Sequence, residues 1–201
     1  MSYELVVFDL GGVLVEVDAD RLVHQVAQLV GRSFDGVQRA VYNPALLLPF
    51  EMGQISPQAY YQGLKESLRL PWTYEQFMRA WTSIFAENRE VTRLASTLHK
   101  HYKLTVLTNT NVLHNNYIKA TFPALSVIEE WVASCEVGLR KPDPQVYRMV
   151  LDRSGVEAHR AVYIDDRPEL VEAGRAVGLA GIRFESSRQL ERDLRALGLT
   201  L

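Results

Sequence analysis

The sequence predicts an α/β fold: a mostly parallel sheet with helices on both faces, and an all-helical segment inserted after the first strand. Three observations predict it. Short apolar runs at 5–8, 104–107 and 161–164 have the length and composition of strands in a parallel sheet, buried on both faces. From Val91 onward such runs alternate with helix-period segments, as strands joined by crossover helices do. Between the first run and Val91 the apolar residues keep a helical period, and no convincing strand is present.

In chain order, the run Leu5-Val6-Val7-Phe8 ends on Asp9, and Gly11 and Gly12 follow. A strand that delivers a carboxylate into a glycine turn places it in the crevice where open α/β sheets bind ligands. Glycine lets backbone N–H groups approach an anion without a Cβ in the way. Leu22, Val23, Val26, Leu29 and Val30 share one helix face, ended by Gly31. A second helix is expected over 34–42, with Phe34, Val37 and Val41 inward, and then an apolar loop over 43–54 with Pro44, Pro49 and Gly53. Ser56 and Pro57 open a helix whose stripe is Tyr60, Leu64 and Leu68, and Pro71 breaks it. Thr73 and Gln76 form a capping box for a helix carrying Phe77, Trp81, Ile84 and Phe85, a stripe expected to be core.

A helix with Leu94 and Leu98 then leads to the strand 104–107, which ends at Thr108-Asn109-Thr110-Asn111. Another helix and a strand near 131–134 follow. The loop 138–144 contains Arg140, Lys141 and Asp143, and Asp143 is expected to cap the next helix, with Val146, Met149 and Val150. The strand 161–164 ends at Asp165-Asp166. A helix, a short strand at 181–184 and a final helix capped by Ser186 and Gln189 complete the chain. The expected division is a core of 1–15 with 88–201, and a helical cap of 16–87.

The 201 residues suffice for one core domain with a modest insertion, and 47% hydrophobic with 23% charged residues places the chain among globular proteins. A net charge of −2 gives no electrostatic case for nucleic acid or an anionic membrane surface. Cys135 is the only cysteine, which excludes an internal disulfide and a cysteine zinc framework. No apolar run approaches the ~18–20 residues of a bilayer span, and the N-terminus lacks the pattern of a signal peptide. A cytoplasmic location is expected, as a monomer or small homo-oligomer.

Three strands thus end in functional groups: Asp9, then Thr108 with Asn109, then Asp165 with Asp166. In a parallel sheet these ends share one edge, which Lys141 can reach from its loop. Three carboxylates, a lysine and a hydroxyl suit a hard divalent cation that holds a phosphoryl group, for which Mg²⁺ is expected. Lysine supplies a compact positive charge to the same phosphate. Asp9 is then placed as a nucleophile forming an aspartyl-phosphate that water hydrolyses.

The segments Phe-Asp-Leu-Gly-Gly-Val (8–13), Leu-Thr-Asn-Thr-Asn (107–111), Arg-Lys-Pro-Asp-Pro (140–144) and Ile-Asp-Asp-Arg-Pro (164–168), in that order, resemble the four motifs of haloacid dehalogenase-like hydrolases. The resemblance covers nearly the whole chain and implies a Rossmann-like core with a helical cap. Within that superfamily the chain is similar to small bacterial sugar-phosphate phosphatases acting on glucose 1-phosphate, and to the phosphatase domain at the N-terminus of soluble epoxide hydrolase. It implies that Asp9 is nucleophile and metal ligand, and that Thr108, Asn109 and backbone N–H groups around Gly11 and Gly12 hold phosphoryl oxygens. Lys141 would offset charge. Asp166 would bind Mg²⁺ directly, Asp165 through a water, and the residue 11 carbonyl would be a further ligand.

The sequence departs from the family at Gly11, where most of its phosphatases carry a second Asp as general acid and base, a role worth roughly 10²–10⁴-fold in rate. The glucose-1-phosphate branch resembles this chain in having glycine there. The anomeric oxygen is an acidic leaving group that needs less help from an acid, so Gly11 is expected to bias the enzyme toward sugar 1-phosphates and activated esters such as aryl phosphates. Replacement proton donors to consider are His114, Glu51, Asp18, Asp20 and His24, each also explicable as a cap, a structural side chain or a solvated charge. Phe50, Glu51 and Met52 are the cap residues expected to meet substrate. Competing functions are a metal-independent dehalogenase, a non-catalytic protein that binds a phosphorylated metabolite, and a phosphotransferase. Paired Asp165 and Asp166 argue against the first, because carboxylates clustered without a cation repel one another.

Overall fold

The computed structural model describes residues 2–201. In chain order the elements are β1 (Leu5–Phe8), β2 (Val15–Val17), α1 (Ala19–Val30), α2 (Phe34–Val41), α3 (Pro44–Glu51), α4 (Pro57–Leu68), α5 (Tyr74–Thr82) and β3 (Phe85–Glu87). Then come α6 (Arg89–Leu98), β4 (Lys103–Thr108), α7 (Val112–Thr121), β5 (Glu130–Ala133), α8 (Ser134–Val137), α9 (Pro144–Ser154), β6 (Ala161–Asp165), α10 (Pro168–Ala176), β7 (Ala180–Arg183) and α11 (Ser187–Ala196). The main sheet is parallel throughout, in the order β5-β4-β1-β6-β7.

The apolar run of β1 feeds two cores. Val6 and Phe8 join Val91, Leu98, Ile118 and Leu190 on one face, while Leu5 and Val7 join Val146, Tyr147 and Val150 on the other. That is why β1 has no polar alternation. Register then fixes the site: Phe8 lies level with Val106 on one side and Ile164 on the other. Asp9, Thr108 and Asp165 therefore emerge at the same edge.

Helices α1 to α5 build a separate apolar cluster that includes Leu22, Val37, Phe50, Tyr60, Phe77 and Trp81. Its centre is aromatic, with Phe50 stacked on Tyr60 at 4.4 Å and Phe77 on Trp81 at 5.4 Å. The sequence-predicted caps are in place: Ser56 on α4, the Thr73–Gln76 box on α5, Asp143 on α9 and the Ser186–Gln189 box on α11.

Two local expectations are corrected. The expected loop at 43–54 is largely the helix α3, with Asn43 as its cap, Pro44 in the first turn and Pro49 inside it. Asn followed by Pro is itself a helix start signal, and Pro49 sits late enough to cost only the final turn a hydrogen bond. The segment 16–87 is also not wholly helical. Its ends pair as an antiparallel ribbon of β2 and β3, with Val15 opposite Glu87 and Val17 opposite Phe85, and α5 stops at Thr82 instead of continuing to Phe85. Three-residue strands are too short for periodicity to reveal, and each exists only through its distant partner. Asn88 fastens the ribbon to the core by donating to the Val13 carbonyl at 3.0 Å while capping α6. Among the described residues no helix is long and apolar enough to cross a membrane.

Candidate active site

The turn after β1 gathers its hydrogen bonds onto one atom. The N–H groups of Val13, Leu14 and Val15 all reach the Leu10 carbonyl, and Gly12 N–H reaches Val15 O. The Gly11 carbonyl accepts none of the turn's backbone hydrogen bonds. Gly12 has φ +82, and a Cβ there would lie 2.5 Å from Asp166 Oδ2, so both conformation and space demand glycine.

Asp9 is pinned by one oxygen. Its Oδ1 accepts the Leu10 N–H at 2.7 Å and lies 2.9 Å from Lys141 Nζ, whereas Oδ2 has no protein donor among the described residues. Lys141 is 2% exposed and also lies 2.7 Å from Asp165 Oδ2. Both Asp165 oxygens have protein donors: the Tyr163 hydroxyl donates to the same Oδ2, and the Arg167 N–H to Oδ1 at 2.9 Å. Burial, with the Asp165 charge adding to it, holds the Tyr163 phenol well above its ordinary value, so it remains a donor. Burial pushes the Asp9 carboxyl up to about 6 against the pull of Lys141, and burial followed by the Asp165 charge raises Asp166.

The donor set fits a hard divalent cation. Carboxylate oxygens of Asp9, Asp165 and Asp166 lie within 4.8 Å of one another. Lys141 is the only cation bonded within the trio among the described residues. Three carboxylates against one ammonium leave excess negative charge, which a dication would offset. Asp9 and Asp166 have capacity to spare, while Asp165 has its oxygens occupied by protein donors.

Thr108 is buried beside Asp9 and lines the same cleft, which also includes Gly11, Gly12, Lys141, Asp166 and Arg167. Asn109 is committed elsewhere: its Nδ2 donates to the Lys141 carbonyl at 2.9 Å and its Oδ1 accepts the Lys141 N–H at 2.8 Å. Its side chain therefore fixes the lysine loop, leaving its backbone N–H for an anion.

The candidate proton donors separate clearly. Asp18 caps α1, Asp20 lies in that helix's first turn, and His24 packs against Phe34 at 4.6 Å. His114 stacks on Trp81 at 4.9 Å, and burial pushes its pKa down to about 3. Asn111 Oδ1 receives the His114 N–H and the Trp81 indole N–H, so its amide faces His114 Nδ1. Nε2–H must then donate to the Trp81 carbonyl at 3.0 Å, which leaves His114 no free proton. Of the five, His114 and Glu51 line the cleft between the helical segment and the sheet, and with His114 spent only Glu51 keeps a free oxygen there. Its Oε2 lies 3.2 Å from Arg140, and burial raises its pKa. Of its expected companions, Phe50 is fully buried among α-helices and Met52 caps α3.

Several residues at this site carried no sequence signal. Ser134 clasps the two parts together: its hydroxyl lies 2.7 Å from the Glu51 carbonyl and 3.0 Å from the Thr110 carbonyl, and accepts the Thr110 N–H. Gly53 (φ +69) approaches so closely that a Cβ would lie 2.3 Å from the Cys135 carbonyl. Tyr42 and Leu47 line the cleft, as does Trp81, which was expected only in the core. None of these contacts is local in sequence.

The family model of haloacid dehalogenase-like hydrolases matches residues 3–178. Flavin mononucleotide hydrolase 1 of Arabidopsis thaliana is 30% identical over 70% of this chain, a match spanning about half (52%) of that protein. D-ribitol-5-phosphate phosphatase of Bacteroides thetaiotaomicron is 22% identical over 94% of this chain and 95% of its own length. A crystal structure of a family enzyme from Bacteroides thetaiotaomicron, in complex with magnesium and inorganic phosphate, superposes with a TM-score of 0.83 at 22% identity. That match covers 92% of this chain and 95% of the other. With most of its length matched by the family model and its motifs assembled on one sheet edge, this chain belongs to the haloacid dehalogenase-like hydrolases.

Proposed function

We propose that the protein is a Mg²⁺-dependent phosphomonoester hydrolase that forms an aspartyl-phosphate on Asp9 and acts on a small phosphorylated metabolite. The observation that carries this is the asymmetry of Asp9. One oxygen is held by Leu10 N–H and Lys141, and the other is open toward the cleft. A carboxylate fixed in this way is oriented for attack at a phosphorus seated between Thr108 and the glycine turn. Asp9 Oδ2 would displace the alcohol oxygen, and water would then cleave the acyl phosphate to release phosphate and restore the carboxylate. Lys141 offsets charge on both partners, and Tyr163 and Arg167 hold Asp165 so that the ammonium stays in place.

Asp9, Asp166 and the Gly11 carbonyl would hold Mg²⁺, with Asp165 acting through a water. When bound, the ion supplies positive charge to the phosphoryl oxygens. Residues 16–87 act as a cap that encloses the leaving group, and 1–15 with 88–201 as the core that carries the chemistry. Relatives named for flavin mononucleotide and ribitol 5-phosphate support a small phosphorylated metabolite, and glucose 1-phosphate is the sugar ester that the Gly11 argument singles out. A metal-free dehalogenase is disfavoured by the three clustered carboxylates.

The test is phosphate release, with Mg²⁺ and with EDTA, from glucose 1-phosphate, glucose 6-phosphate, a nucleoside monophosphate and an aryl phosphate. Turnover is expected only with Mg²⁺, and Asp9→Asn should lower it by about 10⁴-fold or more. Turnover that persists in EDTA or in Asp9→Asn refutes the proposal. At Gly11 a Cβ meets only Val17 Cγ2, at 3.3 Å, so Gly11→Asp can be accommodated. It should favour glucose 6-phosphate, the ester with the poorer leaving group, and an unchanged ratio of the two sugar esters would remove the leaving-group argument.

A further inference from the structure

A cavity of about 220 Å³ lies between the cap and the core, and it shares Gly11, Val17, Ala19, Thr108 and Asn109 with the Asp9 cleft. A leaving group attached to a phosphate in that cleft must extend into this space. At about 220 Å³ it is smaller than the ~300–1,000 Å³ usual for small-molecule pockets, which sets the scale of the group it holds. Its walls are aliphatic (Leu10, Leu22, Leu47, Ile84) and aromatic (Trp81, Phe85).

The nitrogen-bearing polar side chains around it are spent. Asn111 and His114 bond to each other and to Trp81, and Asn109 bonds to Lys141. Beside the Thr108 hydroxyl, which faces the phosphate cleft as well, three groups keep bonding capacity among the described residues: the Tyr42 hydroxyl, the Thr110 hydroxyl and Glu51 Oε1. The backbones of Glu51 and Thr110 are adjacent, since the Ser134 hydroxyl reaches the main-chain carbonyls of both, and both residues line the cavity. Tyr42, 38% exposed, and Val17, 42% exposed, line the cavity where it meets solvent. The space is therefore a short apolar slot with a small polar corner.

Resting on the phosphatase function proposed above but departing from its glucose 1-phosphate reading, we propose that the leaving group is a compact, largely apolar alcohol or phenol with at most one further hydroxyl, and not a polyol. A sugar would press several hydroxyls against leucine, isoleucine and indole surfaces, and each one stripped of water without a new partner weakens binding by about tenfold or more. An alkyl or aryl group gains from the same walls. One hydroxyl is accommodated at the Glu51 and Thr110 corner.

Two esters of primary alcohols separate size and polarity from leaving-group acidity: 3-methylbutyl phosphate and glucose 6-phosphate. Each is measured as a competitor of p-nitrophenyl phosphate hydrolysis in Mg²⁺, which reports binding whether or not the competitor turns over. The alkyl ester should compete about tenfold or more tightly, and Leu47→Asn, which adds a polar group to the wall, should shrink that ratio. Equal competition, or tighter competition by glucose 6-phosphate, overturns the substrate class and leaves the phosphatase function standing. Absence of Mg²⁺-dependent p-nitrophenyl phosphate hydrolysis overturns the phosphatase function, and the substrate class falls with it.

Discussion

The two walls of the cleft are built on opposite principles. On the core side, Asp9, Lys141, Asp165 and Tyr163 form a nearly dry charged network in which only Asp9 Oδ2 is left open. On the side of the helical segment, Trp81, Leu47 and Ile84 present apolar surface backed by an aromatic cluster. The core side resists change because each group there is buried next to a charge that depends on it. The helical side is held by shape, and substitutions there should leave the charges opposite undisturbed.

Lys141→Ala tests the first half of this contrast most severely. It leaves Asp9 and Asp165 facing each other without their shared counter-charge, and breaking a buried pair this way costs about 3–5 kcal/mol. Denaturant unfolding should show that loss, together with loss of turnover, and Mg²⁺ should restore part of the stability by binding the uncompensated carboxylates. Trp81→Ala should cost a similar amount, about 3–5 kcal/mol, by emptying the cap core. There Mg²⁺ should give no more stabilisation than it gives the unaltered protein. If Mg²⁺ rescued both variants equally, the contrast between charge and packing would be wrong.

Smaller effects sharpen the comparison. The folded Asp9 value of about 6 lies above its ordinary 3.8. Between these values the folded state holds a proton that the unfolded chain has released, so stability without metal should fall as pH rises from about 4 to 6 and then level off. Asp9→Asn should lack that decline when Tm is followed across the range in EDTA. Arg140→Ala removes the partly exposed tie to Glu51, and should cost about 1 kcal/mol or less in unfolding while raising KM more than it lowers kcat. A kcat effect as large as that of Lys141→Ala would place Arg140 in the chemistry instead of the cap contact.

Much of the core side was legible in the sequence because its determinants are local. The candidate carboxylates and Thr108 stand at the ends of short apolar runs, and a parallel sheet turns such strand ends into neighbours without further information. Asn109 shows the limit of that logic: its position at the strand end was evident, but its commitment to the Lys141 backbone depends on a loop from elsewhere in the chain. Pro49 shows another limit, for a proline in an apolar stretch suggests a loop until the cap and first-turn proline before it are given equal weight.

By itself the sequence determined the alternation of strands and helices, the caps, the carboxylates at the strand ends and the lysine between them. These follow from periodicity and from side-chain chemistry within a few residues. Only the tertiary structure decided that β2 and β3 pair across the whole insertion, that His114 has no free proton, and that Tyr42, Leu47, Glu51 and Trp81 converge on one small cavity. Those outcomes depend on how helices pack against one another. Packing is set by the summed fit of many side chains far apart in the chain, and no local pattern encodes it.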